Sequence, residues 1–422
     1  MSAPGLAPRK AAASLLTGVL SEGRMLSDLM AEDGYLSLPP EDRARARTLA
    51  TATLRHWTPM EALLKPHLRK RPPIPVATLL HMAGVEMLID GVPAHAAVDA
   101  AVRLARSDRK SQHLSGLVNA VGRKIATEPA ERLTSATAQT LPKWLRGRLL
   151  NTYPRATVAA MEAAHARGAP MDLTMKSTIP DGLVAERLPS GSHRLPPRSH
   201  LTGLPGYGEG AWWVQDAAAA LPVRILDPQP GQRILDLCAA PGGKAMQLAA
   251  AEAEVTALDI SEPRMARVSQ NLARTGLRAE LVVADALTWE PDTPFDGILV
   301  DAPCSATGTI RRHPDLPFVK DGSEIKPLVA LQRELLSRAA GWLKPGGALI
   351  FCTCSLLHEE GEAQAKWARE ALPALRQTPI DPLPLGGAPD WSSRDGGLRL
   401  RPDFWEERGG MDGFYIARFE AV

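Results

Sequence analysis

Arg233-Ile234-Leu235-Asp236-Leu237-Cys238-Ala239-Ala240-Pro241-Gly242-Gly243-Lys244 (residues 233–244) opens as a short apolar run and breaks on a proline and two glycines. An apolar run of that length, bounded by turn residues, reads as a buried strand. Pro241-Gly242-Gly243 is then the turn into a helix that opens at Lys244. The same alternation continues downstream. Glu254 to Ile260 reads as a second strand. Ser261 stands where an N-cap is needed for a helix carrying Met265, Val268 and Leu272, and Gly276 ends that helix. Ala279 to Asp285 and Phe295 to Asp301 read as third and fourth strands. A long helix runs through Leu328, Leu331, Leu335 and Leu336. Lys344-Pro345-Gly346-Gly347 turns into a fifth strand, Ala348 to Cys354. Leu398 to Arg401 and Phe414 to Phe419 are expected to form an antiparallel edge. Strand alternating with helix implies an α/β fold: a doubly wound, mostly parallel, Rossmann-like sheet over residues 216–422.

Upstream the texture differs. Residues 8–126 read as all-helical. Leu15, Leu16, Val19 and Leu20 share one helix face, as do Leu79, Leu80, Ala83, Met87 and Leu88, and then Val98, Ala101, Val102 and Ala105. Pro39-Pro40, Pro72-Pro73 and Pro93 punctuate these helices. Residues 127–215 read as a small α+β connector. A helix is expected from Pro142 to Leu150, with strands at Asp172 to Thr178 and Gly182 to Leu188, and a loop rich in proline and glycine from Pro189 to Gly210.

The chain has 422 residues, enough for two or three domains, and a formal net charge of only +2, so overall charge announces no nucleic-acid partner. Basic residues cluster locally, at Arg69-Lys70-Arg71 and at Arg103, Arg106, Arg109 and Lys110; taken alone these read as solvated helix faces. No apolar run approaches the ~18 residues that would span a bilayer. No export signal is legible near Met1 to Lys10, and the cysteines are few, which together point to a reducing, cytoplasmic setting without a membrane partner.

There are four cysteines, all in the second half and all at or near strand ends: Cys238, Cys304, Cys352 and Cys354. A disulfide framework would scatter them. Ligands of open α/β sheets bind outside the carboxyl ends of the strands. Three acidic residues share that edge, Asp236, Asp259 and Asp285. Asp259 lies where such folds hold ribose hydroxyls, about 20 residues past the glycine turn. One carboxylate offers enough acceptor sites for both hydroxyls. The G-x-G-x-x-G fingerprint of pyrophosphate-binding loops is absent. A nucleoside carrying a sulfonium in place of phosphates, S-adenosyl-L-methionine, suits this strand set better. Asp285 is then expected on its adenine side, and Asp301 near its methionine or the target base.

Asp301-Ala302-Pro303-Cys304-Ser305 and Thr353-Cys354-Ser355 end two strands expected to be neighbours. Two thiols and a carboxylate beside a methyl donor point to one reaction. Carbon 5 of cytosine is a poor nucleophile, and a thiolate added at carbon 6 turns the ring into an enamine that can attack an electrophilic methyl group. The thiol must ionise, and Lys244 is the cation expected nearest to it. Asp301 would hold the cytosine amino group and ring nitrogen. Cys304 and Cys354 are both candidates for the attack, and spacing does not choose between them. Cys352 reads as a small buried apolar residue. No metal site is expected, because there is no C-x-x-C pair and His313 and His358 lack ligand spacing.

These residues resemble the Sun/Fmu family of RNA cytosine-5 methyltransferases. The resemblance rests on Leu235 to Lys244 (LDLCAAPGGK), Asp259-Ile260, Asp285, Asp301 to Leu316 (DAPCSATGTIRRHPDL) and Thr353-Cys354-Ser355, and covers most of residues 200–420. The helical region in front is similar to a NusB-type RNA-binding domain. The resemblance implies that Cys354 is the nucleophile and that Cys304 assists product release, whereas DNA cytosine methyltransferases attack with the Pro-Cys thiol. It also implies cofactor contacts by Cys238, Ala239, Ala240, Pro241, Gly242, Gly243, Lys244, Asp259, Arg264, Asp285 and Asp301. Gln215-Asp216 matches a further family pattern. The chain departs from the family at Thr174-Met175-Lys176, where many members carry Arg-x-Asn, and at Glu359-Glu360-Gly361, where many carry Glu-Glu-Asn. The implied partner is RNA, most of all small-subunit ribosomal RNA, met by a monomer. A tRNA substrate, or a non-catalytic RNA-binding role in ribosome assembly, stands as the alternative.

Overall fold

The computed structural model describes residues 5–129, 131–135, 139–197, 199 and 201–422. Packing divides the chain into two units. One holds Met1–Gly168 together with Ile310–Asp321, and the other holds Ala169–Thr309 together with Gly322–Val422. The helices of the expected connector, Lys143–Thr152 and Arg155–Arg167, therefore pack with the first unit, and its strands with the second.

The first unit is helical. Its central helix, Ile74–Leu88, starts behind Pro72-Pro73 and is buried along most of its length. Proline suits a helix start, where its missing N–H costs nothing. Around it pack Leu6–Glu22, Pro40–Arg55, Ala94–Ser107 and Ser115–Ile125. The helix Pro40–Arg55 carries Glu41 and Asp42 in its first turn and Arg55 in its last, the order the helix dipole favours. Leu16, Leu54, Met60, Val76 and Val85 are fully buried, and truncating one of the two leucines or Met60 to alanine costs about 2–5 kcal/mol. Arg9 and Glu86 form a buried pair at 2.8 Å. The excursion Ile310–Asp321, which continues the DAPCSATGT run, is tied into this unit. Asp315 accepts the Leu26 N–H (2.8 Å), the Arg311 carbonyl accepts from Arg55 (3.0 Å), and the Lys320 carbonyl accepts from the Trp144 indole (2.8 Å).

The second unit carries two sheets. The small one is antiparallel and is built from β1 (Asp172–Met175), β2 (Glu186–Arg187), β3 (His193–Arg194) and β4 (Trp212–Val214), in the order β2-β3-β1-β4. The strands expected from Asp172 to Thr178 and from Gly182 to Leu188 are thus shorter than their sequence suggested. Arg194 holds Asp172 in a buried fork (2.6 and 2.7 Å), and Asp172 also accepts the Ala217 N–H.

The large sheet comprises β5 (Arg233–Leu237), β6 (Glu254–Asp259), β7 (Glu280–Val283), β8 (Phe295–Asp301), β9 (Leu343–Thr353), β10 (Leu375–Thr378), β11 (Leu398–Leu400) and β12 (Phe414–Ala421). Its order is β10-β12-β9-β8-β5-β6-β7, with β11 paired to β12. Strands β5 to β9 are mutually parallel, and β12 runs antiparallel to β9, β10 and β11. The expected antiparallel pairing of Leu398–Arg401 with Phe414–Phe419 is present as β11 on β12, but its edge position is corrected: β12 is interior, fully buried at Tyr415, Ile416, Ala417 and Phe419, and β10 forms the edge. From β5 the chain builds outward to β6 and β7, then returns to the other side of β5 for β8. The crevice at the carboxyl ends of β5 and β8 is therefore the switch point where such sheets bind ligands. Among the described residues no helix is long and apolar enough to cross a membrane.

Candidate active site

After β5 the backbone turns through two left-handed residues, Cys238 (φ 65°) and Gly242 (φ 98°), before the helix Gly243–Ala250 begins. A Cβ at Gly242 would come within 3.0 Å of Val268, so conformation and contact both require glycine there. The Ala239 N–H donates to the Leu258 carbonyl (3.0 Å), which pins the turn to the end of β6.

Asp259 ends β6, and its carboxylate accepts from the Ala240 N–H (3.2 Å) and the Ser261 N–H (2.9 Å), with Arg264 at 3.4 Å. It therefore ties the glycine turn to the start of the helix Glu262–Thr275. The Ser261 side chain makes no capping bond, contrary to expectation. Arg264, half-exposed, also donates to the Ala240 carbonyl. Asp285 is exposed in the turn after β7 and accepts the Leu287 N–H (2.9 Å). Gln215, whose side-chain carbonyl accepts from Thr174 and Trp213, lies 3.5 Å from where a Gly243 Cβ would stand. Asp216 caps the helix Ala217–Leu226 through the Ala218 N–H. Lys176 donates to the Thr275 carbonyl (2.7 Å).

Asp236 lies inside β5, fully buried. Neither of its oxygens makes a well-formed hydrogen bond among the described residues, although the Ala245 N–H favours its charge. Burial raises it to about 7, against the pull of Lys244 and with the repulsion of Asp301 and Asp259. Burial and the same three carboxylates, Asp301, Asp259 and Asp236, push the Cys238 thiol up. The turn thus sits in a negative field. A buried carboxylate beside it, without a well-formed hydrogen bond among the described residues, suits a ligand carrying positive charge.

The sign of one pH effect follows. At acid pH Asp236 is protonated in the folded and the unfolded chain alike. Between the ordinary carboxylate range and about 7 only the folded chain keeps the proton, so this group makes stability fall as pH rises. Asp236→Asn carries no charge at either end. In thermal melts it should match the wild type near pH 4 and exceed it by about 2 °C or more near pH 8. A gap that does not change with pH would remove Asp236 as the cause.

Asp301 ends β8 opposite Cys352 of β9. One oxygen takes the Lys244 ammonium at 2.7 Å and the other lies 3.5 Å from the Cys352 sulfur. Lys244, buried, also lies over the Phe414 ring at 5.5 Å. The sequence placed Lys244 nearest the reacting thiol; in the structure Asp301 engages it, and the thiol it acts on is Cys352. The salt bridge with Asp301 draws it there.

Cys304 and Cys354 come together, their sulfurs 3.5 Å apart and both half-buried. The hydrogen bond with Cys354, then burial, raises the Cys304 thiol well above its ordinary range. The Cys354 carbonyl accepts the Gly308 N–H (2.9 Å), fixing one loop on the other. Gly308 admits no side chain, since a Cβ would lie 1.9 Å from the Gly413 carbonyl oxygen. Sequence reasoning missed Glu360, which is fully buried beneath these two loops. Its only signal was its place in a family motif. Among the described residues no cluster of three or more His, Cys, Asp and Glu could hold a metal ion.

Residues 223–420 match the 16S rRNA methyltransferase RsmB/F family, and residues 6–127 match the NusB family. Ribosomal RNA small subunit methyltransferase B of Salmonella arizonae is 36% identical over 415 aligned residues, covering 90% of this chain and 93% of that one. Among solved structures, PH0851 superposes with a TM-score of 0.73 at 22% identity, covering 100% of this chain and 99% of that one. NSun6 from Pyrococcus horikoshii, solved with SFG, gives 0.58 at 19% identity, covering 67% of this chain and 98% of that one. The two structures speak for the fold; the identity sustained across both halves speaks for descent. The chain belongs to the ribosomal RNA small subunit methyltransferase B family, within the RsmB/F methyltransferases.

Proposed function

We propose that this chain methylates carbon 5 of a cytosine in small-subunit ribosomal RNA, through a covalent bond between Cys354 and carbon 6. Methylation of ribosomal RNA with S-adenosylmethionine is the activity of its family. The observation that carries the finer reading is the pair of sulfurs at 3.5 Å, at the carboxyl edge that also holds Asp301 and the glycine turn.

The residues present suit the cofactor. Cys238 to Lys244 would line it with backbone, Asp259 and Asp285 would meet its ribose and adenine side, and Arg264 would brace Asp259. The negative field around the turn suits its positive charge. When bound, it supplies an electrophilic methyl group. Cys354, as thiolate, adds to carbon 6, and the electron pair of the carbon 5–carbon 6 double bond becomes available at carbon 5 for that methyl group. Asp301, held by Lys244, faces the cytosine edge and steadies the charge that develops on it. Cys304 takes part in removing the carbon 5 proton, after which the Cys354–carbon 6 bond breaks.

The target base must be out of its stack for a thiol to reach carbon 6. The helical unit is proposed to grip the RNA. Arg103, Arg106, Arg109 and Lys110 are exposed, and Arg69-Lys70-Arg71 rim a cavity of about 550 Å³. Phosphate contacts of this kind make affinity fall steeply with salt.

Bisulfite sequencing of RNA from a strain lacking the protein, with and without the gene restored, tests the whole reading. One small-subunit cytosine should lose its mark and regain it. A mark lost from tRNA would move the substrate, and unchanged RNA would leave a binding role in assembly.

A further inference from the structure

We propose that Glu360 is the positioning residue of the thiol pair: a single buried carboxylate that clamps the loops carrying Cys304 and Cys354 against each other. The inference deepens the reading above, and its geometry stands without it.

Each cysteine is followed by a serine, and both serines are fully buried. One oxygen of Glu360 accepts the Ser305 N–H (2.9 Å) and the Gln332 amide (3.3 Å). The other accepts the hydroxyls of Ser305 (2.5 Å) and Ser355 (2.6 Å). The Glu360 carbonyl accepts the Thr353 hydroxyl (2.9 Å), from the residue just before Cys354. Thr307 completes the bridge: its hydroxyl lies 3.2 Å from that of Ser355 and accepts the Leu356 N–H (3.0 Å). Among the described residues every hydrogen-bond partner of this carboxylate is neutral. A buried charge is costly unless donors saturate it, and here four do. The second loop has another support, since Arg399 donates to the Ser355 carbonyl while paired with Glu362 (2.6 Å). Other bonds also join the two loops, from the Gly308 N–H to the Cys354 carbonyl and from the Leu356 N–H to the Thr307 hydroxyl; what Glu360 adds is one charged group that binds the serine beside each cysteine.

The clamp has an electrostatic side. The groups that act on the Cys304 proton are Cys354 and Glu360, which hold it, and the Ala306 N–H, which opposes them. Glutamine can keep the shape. Its carbonyl would face the two N–H donors, and its amine would face two hydroxyls free to turn and accept. It cannot keep the charge. Alanine removes both.

The test uses the full-length protein without RNA. Phenylarsine oxide, a trivalent arsenical that bridges two close thiols, should be captured by the wild type and lost in Cys304→Ala and in Cys354→Ala. Glu360→Ala should weaken capture by about 10-fold or more, with S-adenosylmethionine affinity by calorimetry within about twofold of wild type, because among the described residues the side-chain hydrogen bonds of Glu360 run to Ser305, Ser355 and Gln332 and not to the cofactor turn. Glu360→Gln should retain capture, and the pH midpoint of Cys304 alkylation should fall by about half a unit or more, as the charge holding the proton is gone. Capture by Glu360→Ala equal to wild type would overturn the clamp. If that variant does not fold, the Gln variant decides, and an unmoved alkylation midpoint overturns the proposal. Should the wild type make no cytosine adduct while capture still depends on Glu360, the proposed chemistry fails and the clamp stands.

Discussion

Cys354→Ala is expected to abolish methyl transfer and every covalent protein–RNA species. Without a nucleophile at carbon 6, carbon 5 of cytosine stays a poor nucleophile, and proximity to a methyl donor does not change that. Removing the nucleophile of a covalent mechanism lowers turnover by on the order of 10⁴- to 10⁶-fold. The fold should tolerate the change. The Cys354 side chain is half-buried, and the hydrogen bond that fixes its loop runs to its backbone carbonyl from Gly308. S-adenosylmethionine affinity should be unaltered, since the turn from Cys238 to Lys244 is anchored by Leu258, Asp259 and Arg264 and not by Cys354. The measurement is methyl incorporation into small-subunit RNA, together with denaturant-resistant adducts on RNA containing 5-fluorocytosine, whose fluorine cannot leave as a proton does. Retained turnover in this variant would transfer the attack to Cys304, the sulfur 3.5 Å away.

Why the sequence was informative here, and where it stopped, has a physical pattern. The parallel core was legible because β5, β6, β8 and β9 are buried on both faces and read as apolar runs closed by proline, glycine and aspartate. Strand β10 was not legible. Leu375-Arg376-Gln377-Thr378 is a half-polar edge, and only its pairing with β12 makes it a strand. The place of β12 inside the sheet was equally hidden, since a sequence run states its burial and not its neighbours. In the site, residues that end strands were found because strand ends are visible in a pattern. Cys304 and Cys354 meet at the ends of two strands expected to be neighbours, and Asp259 lies against the glycine turn. Partnerships between side chains were not visible. Lys244 went to Asp301 and Cys352, Asp236 was left buried without a well-formed partner among the described residues, and Glu360 emerged beneath both loops. Each depends on distances across the sheet that no spacing along the chain encodes.

Cys304→Ala should do the opposite of Cys354→Ala and accumulate protein bound to RNA. In the resting pair, the strongest influence holding the proton on Cys304 is Cys354 itself, through its hydrogen bond and its charge. When Cys354 bonds to carbon 6, that sulfur becomes a neutral thioether and both influences vanish. Cys304 is then easier to ionise, and its proton can pass to water because the side chain is still partly exposed. The new thiolate takes the proton from carbon 5. The electron pair of that broken bond restores the carbon 5–carbon 6 double bond and expels the Cys354 thiolate. The order of events is therefore built into the pair, for the base appears only once the adduct exists. Without Cys304 the adduct forms and methylates but releases slowly, by about 10²- to 10⁴-fold if water must serve as base. Ordinary, unfluorinated RNA should then give a covalent complex on a denaturing gel, dependent on S-adenosylmethionine and absent from the Cys304→Ala, Cys354→Ala double variant. Free turnover by Cys304→Ala at the wild-type rate would show that another group removes the proton, and the ordering argued from the 3.5 Å contact would fall with it.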